Sequence, residues 1–126
     1  LEHLYADADI PFRPSVLTPQ DGEESAQGRL RLSCSAFADP NPESRLALVR
    51  WIITRKGGNE LKPDWSITLP GEAGLTVTVP ANELESGVDY RCRVRHQDDS
   101  GRWSFWSDPV TFRLRVDTTV VDWTMH

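Results

Sequence analysis

Hydrophobic and polar residues alternate with a period of two over several short segments of this chain. In residues 29–37, Leu30, Leu32, Cys34 and Ala36 share one face, and mostly polar residues occupy the other. Such alternation indicates a β-strand with one buried face, because successive side chains of a strand point to opposite sides. No helical period persists over ten or more residues. The pattern therefore predicts an all-β chain.

Seven short strands are predicted in this way, and turn-forming residues separate them. They lie at residues 16–17, 29–37, 47–55, 64–70, 75–80, 88–96 and 109–116. Strands of this number and length favour an antiparallel β-sandwich. We interpret residues 1–13 as an N-terminal linker, residues 14–116 as one domain, and residues 117–126 as a C-terminal linker or an extra edge strand.

Length and composition limit the classes of protein that the chain can represent. Its 126 residues suffice for one domain, and 38% hydrophobic with 26% charged residues is typical of a folded domain. No apolar run reaches the roughly 20 residues that span a bilayer. The net charge of -5 argues against a nucleic-acid partner. Because the chain starts at Leu1 and its one methionine is Met125, we expect a segment of a longer protein or a processed product.

The two cysteines occupy inward positions on separate predicted strands. Cys34 lies on the second strand, Cys92 on the sixth, and Trp51 on the third, an order typical of immunoglobulin-like sandwiches. The matching register predicts a disulfide between the sheets, and two reduced core thiols are the alternative. A disulfide would indicate the periplasm, the cell surface or the extracellular medium. Zinc is not expected, because two ligands are too few.

The segment LESGVDY, residues 84–90, resembles the corner between strands E and F of fibronectin type III domains. The resemblance covers about residues 14–116. LSCSAFADPNPES and VDYRCRVRHQDDSGRWSFWSDPVTF look like the fibronectin type III-like modules of large bacterial secreted or surface proteins, which often carry tryptophans where this chain has Cys34 and Cys92. The resemblance implies a seven-stranded antiparallel immunoglobulin-like sandwich. It also implies a tyrosine corner of Leu84 and Tyr90, in which the tyrosine hydroxyl bonds to nearby backbone.

The segment WSFWS, residues 103–107, matches the WSXWS pattern of class I cytokine receptors. The resemblance implies a ladder in which the two tryptophans stack between arginines of the neighbouring strand. An arginine over an indole face gains about 0.5–1 kcal/mol at an exposed site, so we interpret the motif as a structural brace. The residues of this predicted ladder are Trp103, Trp106, Arg91, Arg93 and Arg95.

Exposed aromatic residues also mark binding surfaces, which leaves a second interpretation of the same segment. In that case the aromatic side chains would form a platform for a sugar or a protein. The candidate platform residues are Trp65, Trp103, Phe105 and Trp106.

Motifs of catalysis are scarce in the sequence. It has no glycine-rich phosphate loop, nucleophile elbow or HExxH motif. His3 and His126 are near the termini and His96 ends a strand, which gives a Ser-His-Asp triad little to build on. We therefore expect a protein that is not an enzyme and needs no cofactor.

Acidic residues of two loops form a weak candidate for calcium. In a fibronectin type III sandwich the loops at residues 38–45 and 97–102 emerge at the same end, and oxygen ligands suit Ca²⁺. Aspartate and asparagine also favour turns through local hydrogen bonds, and this explanation is preferred. The loop residues concerned are Asp39, Asn41, Glu43, Asp98 and Asp99.

The leading hypothesis is a non-catalytic fibronectin type III-like module of a larger exported or cell-surface protein. It would act as a spacer, scaffold or protein-interaction domain, with neighbouring domains, another protein or a glycan as partners. One alternative is a carbohydrate-binding accessory domain of a polysaccharide-active enzyme. Another is a cytokine-receptor-like ligand-binding module, against which the absence of Asn-x-Ser/Thr sites is a weak argument.

Overall fold

The computed structural model describes residues 9–115. The predictions for residues 1–8 of the N-terminal linker, for Val116 and for residues 117–126 fall outside this range. Eight strands and one 3₁₀ turn occur in it: β1 (Val16–Thr18), β2 (Glu23–Ala26), β3 (Arg31–Cys34), β4 (Leu46–Arg55), β5 (Trp65–Pro70), the turn (Gly71–Gly74), β6 (Thr76–Thr78), β7 (Asp89–Asp98) and β8 (Val110–Arg115). Among these residues there is no helix of the length and apolarity that crossing a bilayer requires.

The strands form two sheets. One contains three strands in the order β1-β3-β6, and the other contains five in the order β2-β8-β7-β4-β5. Hydrophobic side chains from both sheets fill the space between them, as the period-two alternation predicts. The all-β fold and the two-sheet sandwich arrangement of the prediction are therefore confirmed.

The predicted strand count and the all-antiparallel pairing are wrong. The structure adds β2, which pairs with β8 in parallel, with Glu23 opposite Phe112 and Ala26 opposite Arg115. Its sequence, EESA, has no hydrophobic alternation because it is an edge strand without a fully buried side chain. The chain reaches the second sheet after a turn at Gly22, whose φ of 83° suits glycine.

The centre of the core is Trp51 on β4. Its side chain is completely buried, and its indole N–H donates a 2.7 Å hydrogen bond to the carbonyl oxygen of Gly74. A Cβ atom on Gly74 would lie 2.5 Å from the Cβ of Val49, so this position has room for glycine alone. The 3₁₀ turn is thereby held against the strand next to it.

Candidate functional site

The outward face of β7 carries the three arginines of the predicted ladder. Tyr90, Cys92 and Val94 alternate with them and are buried between the sheets. The same alternation leaves the arginine side chains half-buried on the other side of the sheet. The WSFWS segment lies along this strand, with Trp103 bridged to Gln97 in antiparallel fashion.

The two serines of the segment complete the hydrogen bonding of β7. Strand β8 pairs with β7 only as far as Cys92, so the backbone of Val94 and His96 needs other partners. Ser104 N–H donates to His96 O at 2.8 Å, and His96 N–H donates to the Ser104 hydroxyl at 3.0 Å. Ser107 makes the same pair of bonds with Val94, at 2.8 and 3.0 Å. Each serine hydroxyl therefore replaces a strand carbonyl.

Arg95 lies between the two tryptophans. Its guanidinium carbon is 4.3 Å from the ring centroid of Trp103 and 4.5 Å from that of Trp106. Burial lowers the pKa of Arg95, and the nearby charge of Arg50 lowers it further. Stacking on two indole faces offsets part of the free-energy cost of removing water from the Arg95 guanidinium.

Arg91 and Arg93 are engaged differently from what the receptor resemblance implies. Arg93 Nε donates to a carboxylate oxygen of Glu60 at 2.7 Å, and its Nη1 donates to Ser107 O at 3.0 Å. Arg91 donates to Gly58 O at 3.1 Å and lies 3.9 Å from the Glu60 carboxylate. In residues 9–115 the tryptophans thus stack on one of the three arginines, Arg95. The other two bind Gly58 and Glu60 in the loop between β4 and β5.

The candidate platform residues do not share one surface. Trp65 packs against the hydrophobic core, on the inner side of β5. Phe105 is 55% exposed, and the guanidinium of Arg13 lies 5.7 Å from its ring. Of the four, Trp103 and Trp106 come together, with Arg95 between them.

The structure brings together the residues of the predicted tyrosine corner. Leu84 is buried in the core, and Tyr90 is buried with its ring stacked near Phe112 at 5.7 Å. The backbone N–H of Glu85 donates a 2.8 Å hydrogen bond to the Tyr90 hydroxyl. This bond fixes the loop that leads into β7.

Cys34 and Cys92 are buried on the inner faces of the two sheets, and both are free thiols in this structure. The predicted disulfide is therefore not present in it and stays a prediction. Burial raises the pKa of Cys34 to about 12, and burial together with the proximity of Cys34 raises that of Cys92. Both thiols are protonated near neutral pH, which makes them poor nucleophiles in the folded protein.

His96 is a core residue that the sequence analysis treated only as the end of a strand. It is completely buried, and its Nε2 lies 3.4 Å from the sulfur of Cys34. Burial lowers its pKa to about 4. Its position two residues after inward-facing Val94 was the available signal, because the period of two continues through it.

The acidic loops use their oxygens in turns. Asp39 accepts the N–H of Asn41 at 2.8 Å, and Asn41 accepts that of Glu43 at 3.0 Å. Asp99 accepts the N–H of Arg45 at 3.3 Å, so the two loops do meet. Within residues 9–115, no group of three or more potential metal-ligating Asp, Glu, His or Cys side chains occurs. The calcium alternative therefore gains no support from the geometry.

Asp98 is the most enclosed acid of these loops. One carboxylate oxygen accepts three hydrogen bonds, from the Ser100 N–H, the Ser100 hydroxyl and the Arg102 N–H, at 2.8–3.0 Å. Burial by itself would raise the pKa of Asp98, but these donors hold it below its usual value. Its role in the structure is to close the turn after β7.

Comparisons with known proteins bear on the fold. No protein-family model matches the chain, and none of the curated protein sequences compared with it is a match. Solved structures do match. The α-L-rhamnosidase of Streptomyces avermitilis in complex with L-rhamnose is 22% identical over 83% of this chain, with a TM-score of 0.65. The α-L-rhamnosidase of Dictyoglumus thermophilum is 16% identical over 85%, also with a TM-score of 0.65.

A third similar structure contains the fibronectin(III)-like modules of CbhA from Clostridium thermocellum, 16% identical over 86% of this chain with a TM-score of 0.59. The chain spans 10% and 12% of the two rhamnosidase chains and 48% of the CbhA chain. Likeness at these identities concerns the fold alone. It supports a fibronectin type III-like, immunoglobulin-like sandwich.

Proposed function

We propose that this chain is a non-catalytic fibronectin type III-like module of a larger exported or cell-surface protein, and that it holds the parts on either side of it at a fixed separation. The observation that carries the proposal is the position of β7 relative to the two ends of the sandwich. The ten-residue strand runs the length of the five-stranded sheet.

The described chain enters the sandwich beside the end of β7. The Phe12 N–H donates to Ala38 O at 3.0 Å, and Asp9 lies 3.8 Å from Arg102, which is in the turn that follows the strand. This end of the sandwich contains the loops at residues 38–45 and 97–102.

The described chain leaves beside the beginning of β7. The Gln27 N–H donates to Arg115 O, and the Gly87 N–H donates to Leu114 O, both at 2.8 Å. Arg113 is paired with Asp89, the first residue of β7. A strand of ten residues is about 30 Å long at roughly 3.3 Å per residue, so the two points lie about that far apart.

The residues that looked most functional in the sequence support a structural role. The serines of WSFWS bond to β7, Arg95 is stacked between its tryptophans, and Tyr90 anchors the preceding loop. These contacts stiffen the strand that separates the two ends. A rigid spacer needs such stiffness, whereas a catalytic site would need polar groups free to meet a substrate.

The predicted disulfide belongs to the same proposal, since export would expose the chain to an oxidising compartment. Cys34 and Cys92 are buried on different sheets, and burial together with the nearby Cys34 raises the pKa of Cys92. A bridge between them would connect the two sheets. We propose that the exported protein carries it.

The similar structures suggest the class of the parent protein. Two of them are α-L-rhamnosidases, and the third is from CbhA of Clostridium thermocellum. A protein that acts on a polysaccharide is the parent that we propose on this basis. A carbohydrate-binding role of the module itself is the second candidate.

A distance measurement tests the spacer. Fluorophores are attached to the full chain through unnatural amino acids at positions 9 and 115, and a glycine/serine chain of equal length serves as the control. We expect a single narrow distribution near about 30 Å, which urea broadens towards that of the flexible control. Ends that are close together, or a broad distribution without urea, would contradict the spacer. Hydrolysis of an aryl α-L-rhamnoside by the chain would contradict the non-catalytic assignment.

A further inference from the structure

A groove of about 930 Å³ lies on the outer face of the five-stranded sheet. Its floor is formed by arginines of β4 and β7 together with Ile52 of β4, and one wall is the loop between β4 and β5. That loop is held in place by two of the arginines, through Gly58 O and the Glu60 carboxylate. Trp106 lines the groove beside the arginines.

The groove concentrates positive charge in an acidic protein. It contains Arg50, Arg91, Arg93 and Arg95, whereas the whole chain has a net charge of -5. Glu60 is the one acidic side chain that lines it. Within residues 9–115, neither Arg50 nor Arg95 forms an ion pair with a carboxylate. Arg50 lies opposite Arg95 on the neighbouring strand; burial lowers the pKa of Arg95, and the charge of Arg50 lowers it further.

Glu60 demonstrates that a carboxylate fits this floor. One of its oxygens lies 2.7 Å from Arg93 Nε and 3.9 Å from Arg91 Nε. Arginine binds a carboxylate with charge-assisted hydrogen bonds, and partial burial strengthens them. The end of the groove near Arg50 offers similar chemistry to a carboxylate from outside the chain.

We propose that this groove binds the carboxylates of an acidic polysaccharide, a chain that contains uronic acid. The arginines on β7 alternate at intervals of about 7 Å along a rigid strand, and Arg50 lies directly opposite Arg95 on β4. Because Glu60 already engages the other two arginines of β7, an outside carboxylate would meet Arg50 and Arg95 first. A polymer with recurring carboxylates could also compete with Glu60 for those two arginines. The indole of Trp106 provides apolar surface for a sugar ring.

An acidic peptide is the less suitable occupant. Peptides gain most of their affinity from a few side chains that fill apolar pockets, or from strand addition at a sheet edge. The floor of this groove combines arginines with Ile52 on strands β4 and β7, and because both strands have neighbours on either side it offers no free sheet edge to a peptide. The polysaccharide site is independent of the spacer function, and either proposal can fail alone.

Titration calorimetry of the full chain with oligogalacturonate, at low and at physiological salt, tests the site. Neutral dextran and poly-glutamate are the comparison ligands. We expect oligogalacturonate to bind and dextran not to bind, with an affinity that falls as salt rises. Arg50→Gln should weaken binding by about tenfold, because one charge-assisted contact is lost. Glu60→Gln should strengthen it several-fold, because the internal competitor is removed.

The control variant is Arg31→Gln, which removes an exposed arginine of β3 on the opposite sheet. We expect it to bind like the parent chain, and all three variants to unfold at a similar urea concentration. An equal loss in Arg31→Gln and Arg50→Gln would overturn the site, since it would show general charge attraction. So would the absence of oligogalacturonate binding in both the parent chain and Glu60→Gln. Tighter binding of poly-glutamate would overturn the assignment to a polysaccharide.

Discussion

Ser107 and Val94 are joined by two hydrogen bonds, one from each backbone N–H. The Ser107 N–H donates to Val94 O at 2.8 Å, and the Val94 N–H donates to the Ser107 hydroxyl at 3.0 Å. Both residues are completely buried. The side chain of Ser107 thus takes the place that a strand carbonyl would have, and it does so where β8 no longer covers β7.

Replacing this hydroxyl tests its importance. Ser107→Ala leaves the buried N–H of Val94 without an acceptor, so the free energy of unfolding should fall by about 1–3 kcal/mol. Urea denaturation measures the change. The matched control is Ser66→Ala, an exposed serine on β5, which should change stability by less than about 0.5 kcal/mol. Equal effects of the two substitutions would show that the hydroxyl of Ser107 is unimportant.

Gly74 is expected to tolerate no side chain. The added methyl group of Gly74→Ala would lie 2.5 Å from Val49 Cβ, and moving the turn would disturb the bond from Trp51 to the Gly74 carbonyl. We expect a loss of about 1–3 kcal/mol in thermal or urea unfolding, as overpacked cores show. Glu72→Ala in the same turn is exposed and should be nearly neutral. A stable Gly74→Ala protein would mean that the turn packs less tightly than described.

The buried His96 predicts a loss of stability in mild acid. Burial depresses its pKa to about 4 in the folded state, against an ordinary value of about 6.5. The unfolded chain therefore binds the proton first. Stability from this residue is full above about pH 6.5 and decreases progressively as the pH falls towards 4, by an amount on the order of 2–3 kcal/mol.

Urea unfolding of the parent chain and of His96→Gln, at several values between pH 7.5 and about 4.5, checks this prediction. As the pH falls, the free energy of unfolding of the parent chain should decrease relative to that of His96→Gln. Subtracting the two curves removes the contribution of carboxylates, which both proteins share. A difference that does not depend on pH would contradict a buried, uncharged His96.

The cysteines predict a contrast between the folded and the unfolded chain. Because burial raises the pKa of both thiols, reduced Cys34 and Cys92 should resist iodoacetamide in the native protein and react in urea. Protein recovered from an oxidising compartment should have a mass lower by two hydrogen atoms and no titratable thiol in denaturant. Two free thiols in that material would contradict the disulfide.

The sequence predicted the strands whose side chains are divided between a core and a surface. Cys92 and Val94 are inward because the period of two that sheet packing imposes is visible in the residues themselves. The missed strand β2 has no such period, since it is an edge strand with no fully buried residue. Its partner in β8 is more than 80 residues away, and pairing over that distance depends on how the sheet assembles.

The period of two also predicted part of the candidate site on the outer face of β7. Alternation along β7 placed Arg91, Arg93 and Arg95 on one outward face, which is a local property of one strand. That Arg50 lies opposite Arg95 depends on the register between β4 and β7. That Glu60 reaches Arg93 depends on the path of a loop. Neither leaves a pattern in the sequence, so the division of the arginines between tryptophans and loop was not foreseen.

Measuring the coupling between Arg95 and Trp103 tests most directly the claim that the WSFWS segment braces β7. A double-mutant cycle with Arg95→Gln, Trp103→Ala and the double variant, measured by urea unfolding, isolates their coupling. We expect each single change to destabilise the protein and the coupling to be favourable by about 0.5–2 kcal/mol. A coupling of zero with unchanged stability in Trp103→Ala would contradict it.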